Sequence, residues 1–129
     1  MTMRGIRGAI TIEHDTSSEV LSATKELLEA ILCANSDLKL ADITSAFFTV
    51  TNDIASAYPA LAARQMGWDQ VPMMCMREIP VEGSLPYCIR VLIHWNTDRM
   101  QNEIKHVYLR NAVELRPDLM NYPKGEKSQ

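Results

Sequence analysis

Residues 87–95 are almost all apolar apart from Arg90 and His94, and β-branched and aromatic residues dominate this segment. The pattern predicts a β-strand, because successive side chains of a strand point to opposite faces of its sheet. Arg90 lies on one face, in the middle of an otherwise apolar strand. Because a buried guanidinium is costly unless it is paired, we expect an anion near Arg90 or, alternatively, an edge position from which its stem reaches water. The opposite face is expected in the core and carries Ile89, Val91, Ile93 and Trp95.

Three further segments have strand patterns, at residues 3–13, 43–50 and 71–76. In the first of them, small residues stand two positions before and two positions after Arg7. These neighbours share a face with Arg7, so they leave open surface around its side chain. Arg7 is therefore either a solvated strand residue or a cation presented to a ligand.

The segment 78–86 leads from the third strand into the Arg90 strand and contains glycine and several prolines. We expect it to be a turn that makes these two strands antiparallel neighbours. Such pairing would bring Cys75 and Glu78 close to Arg90. Glu78 is then a candidate partner for Arg90 in a structural ion pair.

Apolar residues at i, i+3 and i+4 spacing predict an amphipathic helix that ends near Ala34. Thr16 and Glu19 have the spacing of a capping box, in which each side chain bonds to the backbone N–H of the other residue. A short helical turn is predicted in the polar segment 99–105. The apolar pattern of residues 106–115 does not distinguish a strand from a helix.

A second helical stretch is expected to begin at Asn52 or Asp53 and to break at Tyr58-Pro59. It should resume over residues 60–66 and end at a glycine. Arg64 projects from its second part. On its own, an arginine on a helix is more often a solvated charge than a ligand contact.

The composition describes one globular domain. At 129 residues the chain can bury a real core, and no apolar run is long enough to cross a membrane. Its net charge of −3 disfavours a general nucleic-acid or anionic-membrane surface, so an anion site must come from a local group of arginines. The three cysteines form no disulfide framework and no signal peptide is evident, which predicts a reducing, cytoplasmic setting. The histidines and cysteines lack metal-ligand spacing.

The candidate chemistry is a set of arginines from four separate segments, accompanied by Glu78 and Tyr108. These arginines are Arg7, Arg64, Arg90 and Arg116. No nucleophile with a nearby base and no phosphate-binding loop accompanies them. Because arginine binds carboxylates with two parallel hydrogen bonds, the residues alone predict a small site for an anion that bears carboxylates.

Several multi-residue blocks resemble the monofunctional AroH-class chorismate mutases, almost colinearly from residue 4 to residue 119. The blocks include residues 4–9, 58–60, 67–68, 75–76, 88–91, 106–109 and 115–119. The resemblance implies an α+β fold in which a mixed β-sheet packed with helices forms the pseudo-barrel core of a homotrimer. Its active sites would lie between adjacent subunits. Residues 1–119 would form a single domain, followed by a polar tail over residues 120–129.

The resemblance also implies an isomerase that rearranges chorismate to prephenate for phenylalanine and tyrosine synthesis, without a metal, a cofactor or a covalent intermediate. An alternative from another class is a non-catalytic trimeric module that binds a small carboxylate as a sensor. A weaker enzymatic alternative is imine or enamine hydrolysis in a similar cleft. Glu78 favours the mutase, because a pocket that only binds carboxylates gains nothing from an anion beside its ligand.

Matched residue by residue, the resemblance implies catalytic roles for Arg90, Glu78 and Arg7. Arg90 would donate to the ether oxygen of the substrate, Arg7 would bind a carboxylate, and Glu78 would accept from the ring hydroxyl. The other implied substrate contacts are Tyr108 as a donor, Met74 and Cys75 on the strand beside the ring, Tyr58 and Arg64 from the neighbouring subunit, and Arg116 as a mobile residue that closes the site.

Overall fold

The computed structural model of the protein describes residues 1–115. Their helices are α1 (Ser17–Ala34) and α2 (Pro59–Gln65), and their strands are β1 (Thr2–Thr11), β2 (Ile43–Val50), β3 (Met73–Arg77), β4 (Cys88–Thr97) and β5 (Val107–Tyr108). Short 3₁₀ helices span Leu40–Asp42, Gln101–Glu103 and Arg110–Leu115. In this part of the chain, no helix combines the length and apolar character that crossing a membrane requires.

Within residues 1–115 the strands form one five-stranded sheet in the order β3-β2-β4-β1-β5. The central strand β4 is antiparallel to both β1 and β2. The edge strands β3 and β5 run parallel to β2 and β1, respectively. This mixed sheet with helices confirms the predicted α+β fold.

The two faces of the sheet differ in what covers them. Helices α1 and α2 pack on one face, where β4 contributes the buried side chains that the alternation predicted. The other face has little cover from residues 1–115, and we call it the open face. It exposes large apolar side chains to a degree that is unusual for a sheet: Met3, Met74, Met76 and Leu92 are 49%, 57%, 40% and 37% exposed.

The predicted pairing of β3 with β4 is wrong, because β2 lies between these two strands. The chain passes from β2 through α2 into β3, and such a helical crossover returns a strand parallel to its predecessor. The segment 78–86 therefore carries the chain past the end of β2, where a hairpin turn was expected.

The helical stretch predicted before Tyr58 is also wrong, since residues 51–58 form turns without a helix. The carboxylate of Asp53 accepts a hydrogen bond of 3.0 Å from the backbone N–H of Tyr87. Tyr87 has a φ of 52°, a left-handed conformation that is uncommon outside glycine. Asp53 thus holds the strained entrance to β4 in place and does not cap a helix.

The N-terminus of α1 has one half of the predicted capping box. The hydroxyl of Thr16 accepts from the backbone N–H of Glu19 at 3.1 Å. The carboxylate of Glu19 instead accepts from the backbone N–H groups of Glu13 and His14, both at 3.0 Å. The N–H of Thr16 is already bonded to the carbonyl oxygen of His14, so it does not need Glu19 as an acceptor.

Candidate active site

One row of residues crosses the open face from edge to edge. In the strand registers Tyr108 pairs with Ala9, Ala9 with Arg90, Arg90 with Thr49, and Thr49 with Met76. Residues paired across strands lie side by side on the same face. The middle of the sheet therefore presents Arg90 between the small side chains of Ala9 and Thr49.

Arg90 is paired with an anion of the protein itself. Its Nε lies 3.4 Å from Oε2 of Glu78, and the two side chains are 47% and 23% exposed. The contact is longer than a close guanidinium–carboxylate hydrogen bond, which has a length of about 2.7–2.9 Å. The predicted anion near Arg90 is thus present, and both charges remain accessible from the open face.

Glu78 reaches Arg90 over β2, although the two residues do not lie on neighbouring strands. Its backbone N–H donates to the carbonyl oxygen of Val50 at 2.9 Å, which extends the pairing of β3 with β2 by one residue. The hydroxyl of Thr49 on β2 donates a short hydrogen bond to Oε2 of Glu78. Thr49 was not predicted as a site residue, although the sequence places its hydroxyl on the same face of the strand as the apolar Phe47.

Arg7 lies on β1 in the next row, paired with Leu92 of β4, and its side chain is exposed. Its backbone N–H donates to Nδ1 of His106 at 2.9 Å, which ties the segment before β5 to this strand. The small neighbours of Arg7 in the sequence therefore lie where predicted, around an open arginine side chain.

Tyr108 lies on the short strand β5, which is held against β1 by a 2.9 Å hydrogen bond from the backbone N–H of Leu109 to the carbonyl oxygen of Ala9. The 3₁₀ helix 110–115 follows and brings Leu115 over the same end of the open face. Segment 106–115, which the sequence left undecided, is thus a short strand followed by a 3₁₀ helix. Leu115 was not among the site residues predicted from the sequence.

These side chains enclose a cleft of about 570 Å³, which we call the central cleft. Arg7, Glu78, Arg90 and Tyr108 all line it, together with Thr49 and Leu115. Its volume lies in the range of sites for small organic ligands. Two cations, one anion and a phenol hydroxyl therefore converge on a space with apolar walls.

Cys88 lies on the same strand face as Arg90 but is only 1% exposed, because Ala9 and Ala112 cover it. Burial raises the pKa of its thiol to about 11, although the nearby charge of Arg90 acts in the opposite direction. A thiol in this state is a poor nucleophile, since the thiolate is the reactive form. Cys88 is therefore a buried packing residue and not a candidate nucleophile.

Four of the predicted site residues lie outside the central cleft of a single chain. Tyr58, which is 70% exposed, and Cys75 line a second depression of about 550 Å³ between α2 and β3. Cys75 pairs with the buried Phe48, so its side chain faces away from the open face. Arg64 is exposed on α2, and Met74 is exposed on the open face at the edge strand β3.

Two predictions concern residues beyond those that the structure describes. Arg116 and the polar tail over 120–129 both lie outside the range 1–115. Within that range no group of three or more His, Cys, Asp or Glu side chains is placed to hold a metal ion.

Comparison with known proteins finds relatives along almost the whole chain. Residues 3–119 match the family model of chorismate mutase type I. The chain is 55% identical over 117 residues to chorismate mutase AroH of Thermus thermophilus, and the alignment covers 91% of this chain and 96% of the relative. It is 47% identical over 120 residues to chorismate mutase AroH of Bacillus subtilis, with coverages of 92% and 94%. A solved chorismate mutase from Clostridium thermocellum superposes with a TM-score of 0.81 at 49% identity, over 84% of this chain and 96% of that one.

Proposed function

The chain belongs to the type I chorismate mutases, isomerases that form prephenate for aromatic amino-acid biosynthesis, and we propose that it performs this rearrangement at the central cleft with residues from two subunits. The catalytic residues are Arg90, Glu78 and Arg7. The observation that carries this assignment is the pairing of Arg90 with Glu78 in a cleft that also holds Arg7. A site that only bound carboxylates would be weakened by Glu78, whereas a chorismate site needs an acceptor for the ring hydroxyl.

The reaction is a pericyclic rearrangement of one molecule, so the protein supplies position and charge. The substrate must be held in the conformer that places its enolpyruvyl side chain over the ring, and binding of both carboxylates achieves this. Arg7 and Tyr108 bind one carboxylate, while Arg90 reaches the other together with the ether oxygen. Neither a cofactor nor a covalent intermediate takes part in this scheme.

Catalysis follows from where charge develops. As the C–O bond breaks, negative charge grows on the ether oxygen and positive charge grows on the ring. A guanidinium fixed near that oxygen stabilises the transition state more than the ground state, and this difference lowers the barrier. Glu78 accepts from the ring hydroxyl and lies on the side where positive charge develops.

The second part of the proposal is a homotrimer with intersubunit sites. The open face exposes Met3, Met74, Met76 and Leu92, which is more apolar surface than a sheet normally leaves to water. Covering it with a neighbouring subunit would bury these side chains. A second chain would also bring its own Tyr58 and Arg64 to the cleft, since these residues lie outside the central cleft of one chain. Arg116 is proposed to close the site.

We also place the enzyme in the cytoplasm, with chorismate and prephenate as its partners and without nucleic-acid or membrane binding. All three cysteines are free thiols, and Cys33 is exposed. Free thiols persist in a reducing compartment. The net charge of −3 supports the absence of a polyanion partner.

The first experiment follows the loss of chorismate absorbance with purified wild-type protein, Arg90→Ala and Arg99→Ala. Arg99 is the matched control, because it pairs with Asp37 at 2.8 Å away from the cleft. We expect rapid conversion to prephenate by wild type and Arg99→Ala, and about 10³-fold slower conversion by Arg90→Ala. If wild type binds chorismate saturably but does not convert it, the sensor function replaces the mutase.

A subunit-mixing experiment tests the shared site. Arg64→Ala and Arg90→Ala are prepared separately, mixed as equal amounts of unfolded chains and refolded together. If each site takes Arg64 from one chain and Arg90 from its neighbour, about a quarter of all sites regain both arginines when the two variants assemble at random into trimers. Activity that stays at the level of the separate variants would place both residues of each site on one chain.

A further inference from the structure

We infer that Thr49 is a positioning residue for Glu78: its hydroxyl holds the carboxylate near Arg90, and its small side chain leaves the path over β2 open. This inference rests on the proposed function of the central cleft. It concerns a residue on the strand between the two charges, and Thr49 itself need not touch the substrate.

The side chain of Glu78 must cross a whole strand of the sheet to reach Arg90. Glu78 follows β3 and Arg90 lies on β4, with β2 between them. Neighbouring strands are about 4.7–4.9 Å apart, so the two residues start about two strand spacings from each other. The Glu78 side chain must pass over β2, and the residue paired with Arg90 on β2 is Thr49. A longer side chain at this position would stand in that path.

The hydrogen bond from Thr49 fixes one oxygen of the Glu78 carboxylate and leaves the other available. The Thr49 hydroxyl donates to Oε2 of Glu78, the same oxygen that lies 3.4 Å from Nε of Arg90. Both contacts use one carboxylate oxygen. Oε1 can therefore accept from the ring hydroxyl of the substrate while Oε2 keeps both of its partners.

Thr49 and Arg90 compete for the carboxylate of Glu78. An unrestrained carboxylate next to a guanidinium closes to a bidentate pair with contacts of about 2.7–2.9 Å. Such a pair would offset the positive charge of Arg90. That charge would then stabilise the negative charge that develops on the ether oxygen less well. By holding Oε2, Thr49 keeps Glu78 near Arg90 without that collapse. The hydroxyl therefore favours a state in which both charges remain available to the substrate.

The test compares two substitutions at position 49. Thr49→Val keeps the shape and removes the donor, whereas Thr49→Ser keeps the hydroxyl. We expect kcat to fall about tenfold in Thr49→Val with little change in KM, which is the low end of what a hydrogen bond to a charged group contributes. Thr49→Ser should remain within about threefold of wild type. The control is Ser45→Ala, which removes another hydroxyl of β2 that bonds to His94 at 2.9 Å, and it should leave kcat unchanged.

A double-mutant cycle with Glu78→Ala separates positioning from a structural role. If Thr49 acts through Glu78, Thr49→Val has no further effect on kcat once Glu78 is alanine. Equal losses in both backgrounds, or a loss in Thr49→Ser as large as in Thr49→Val, would overturn the inference. An active Glu78→Ala enzyme would overturn the proposed role of Glu78 itself, and a wild-type protein that leaves chorismate unchanged would overturn the proposed function.

Discussion

Glu78 lies within 3.4 Å of Arg90 although a whole strand separates the elements that carry them. Both side chains remain partly exposed, at 47% for Arg90 and 23% for Glu78. An exposed ion pair contributes little to stability, about 0–1 kcal/mol. The pair is therefore better explained by the chemistry of the cleft than by the stability of the fold.

Arg90→Lys tests whether charge alone is sufficient at this position. Lysine keeps the positive charge but lacks the planar fork that contacts an ether oxygen and a carboxylate together. We expect kcat/KM to fall about 10²-fold, near the lower limit for the loss of a preorganised donor. Thermal denaturation should show an unchanged midpoint. Near-native turnover by Arg90→Lys would contradict the proposed mechanism.

Gly8→Ala should destabilise the fold. A Cβ at position 8 would lie 2.8 Å from Cδ1 of Ile31 and 3.2 Å from the carbonyl oxygen of Val107, so the Ile31 side chain and the backbone of β5 must both shift. Such overpacking costs about 1–3 kcal/mol of unfolding free energy, which urea denaturation measures directly. The matched control is Gly5→Ala, whose Cβ would meet Leu92 at an ordinary 3.6 Å. Equal stability of the two variants would show that α1 and β5 yield freely at Gly8.

Glu19 links the stability of α1 to pH. Hydrogen bonds from the backbone and side chain of His14, and from the backbone of Glu13, lower the pKa of the Glu19 carboxyl below its ordinary 4.5. A carboxyl with a lower pKa in the folded state stabilises the fold above pH 4.5, and this contribution is lost as the pH falls through the folded-state pKa. We expect Glu19→Gln to lower the thermal midpoint at pH 7, with a difference from wild type that shrinks in acid. Glu29→Gln, an exposed change of the same charge on α1, is the control.

The cysteines should differ sharply in reactivity. Cys33 is exposed, whereas Cys88 is 1% exposed and has a pKa of about 11. At pH 8 only about one Cys88 in a thousand is then a thiolate even before access is considered. We expect a thiol-alkylating reagent followed by mass spectrometry to label Cys33 in the native protein and Cys88 only after unfolding. Rapid labelling of Cys88 in the native protein would show that the cover of Ala9 and Ala112 over this thiol opens readily.

Local patterns predicted much of the framework. The bounds of β2 agree with the structure, and so does the helix that begins after Thr16 and ends at Ala34. The spacing of apolar residues along an element and the residues that cap a helix depend on near neighbours in the sequence. Both can therefore be recognised from a few positions at a time. The prediction that Arg90 and its strand neighbours Ile89 and Val91 lie on opposite faces follows from the same local geometry.

Predictions that depended on which elements meet were less successful. Segment 78–86 suggested a hairpin between β3 and β4, but β2 occupies the place between them. Cys88 shares the face of Arg90, yet it is buried, in part by Ala112, which is distant in the sequence. Thr49 was missed for the same reason, since its hydroxyl matters only because Glu78 crosses β2 above it.

The two faces of each strand, the first helix and the charged residues that needed partners could all be predicted from the amino-acid sequence. Their chemistry pointed to a site for a carboxylate-bearing anion, and the family resemblance named the reaction. The position of β2 between Glu78 and Arg90, and the contact of Thr49 with Glu78, became visible in the folded chain alone. Strand order depends on how whole strands and helices pack against one another. The local sequence shows that a strand has an apolar face but not which other element covers that face.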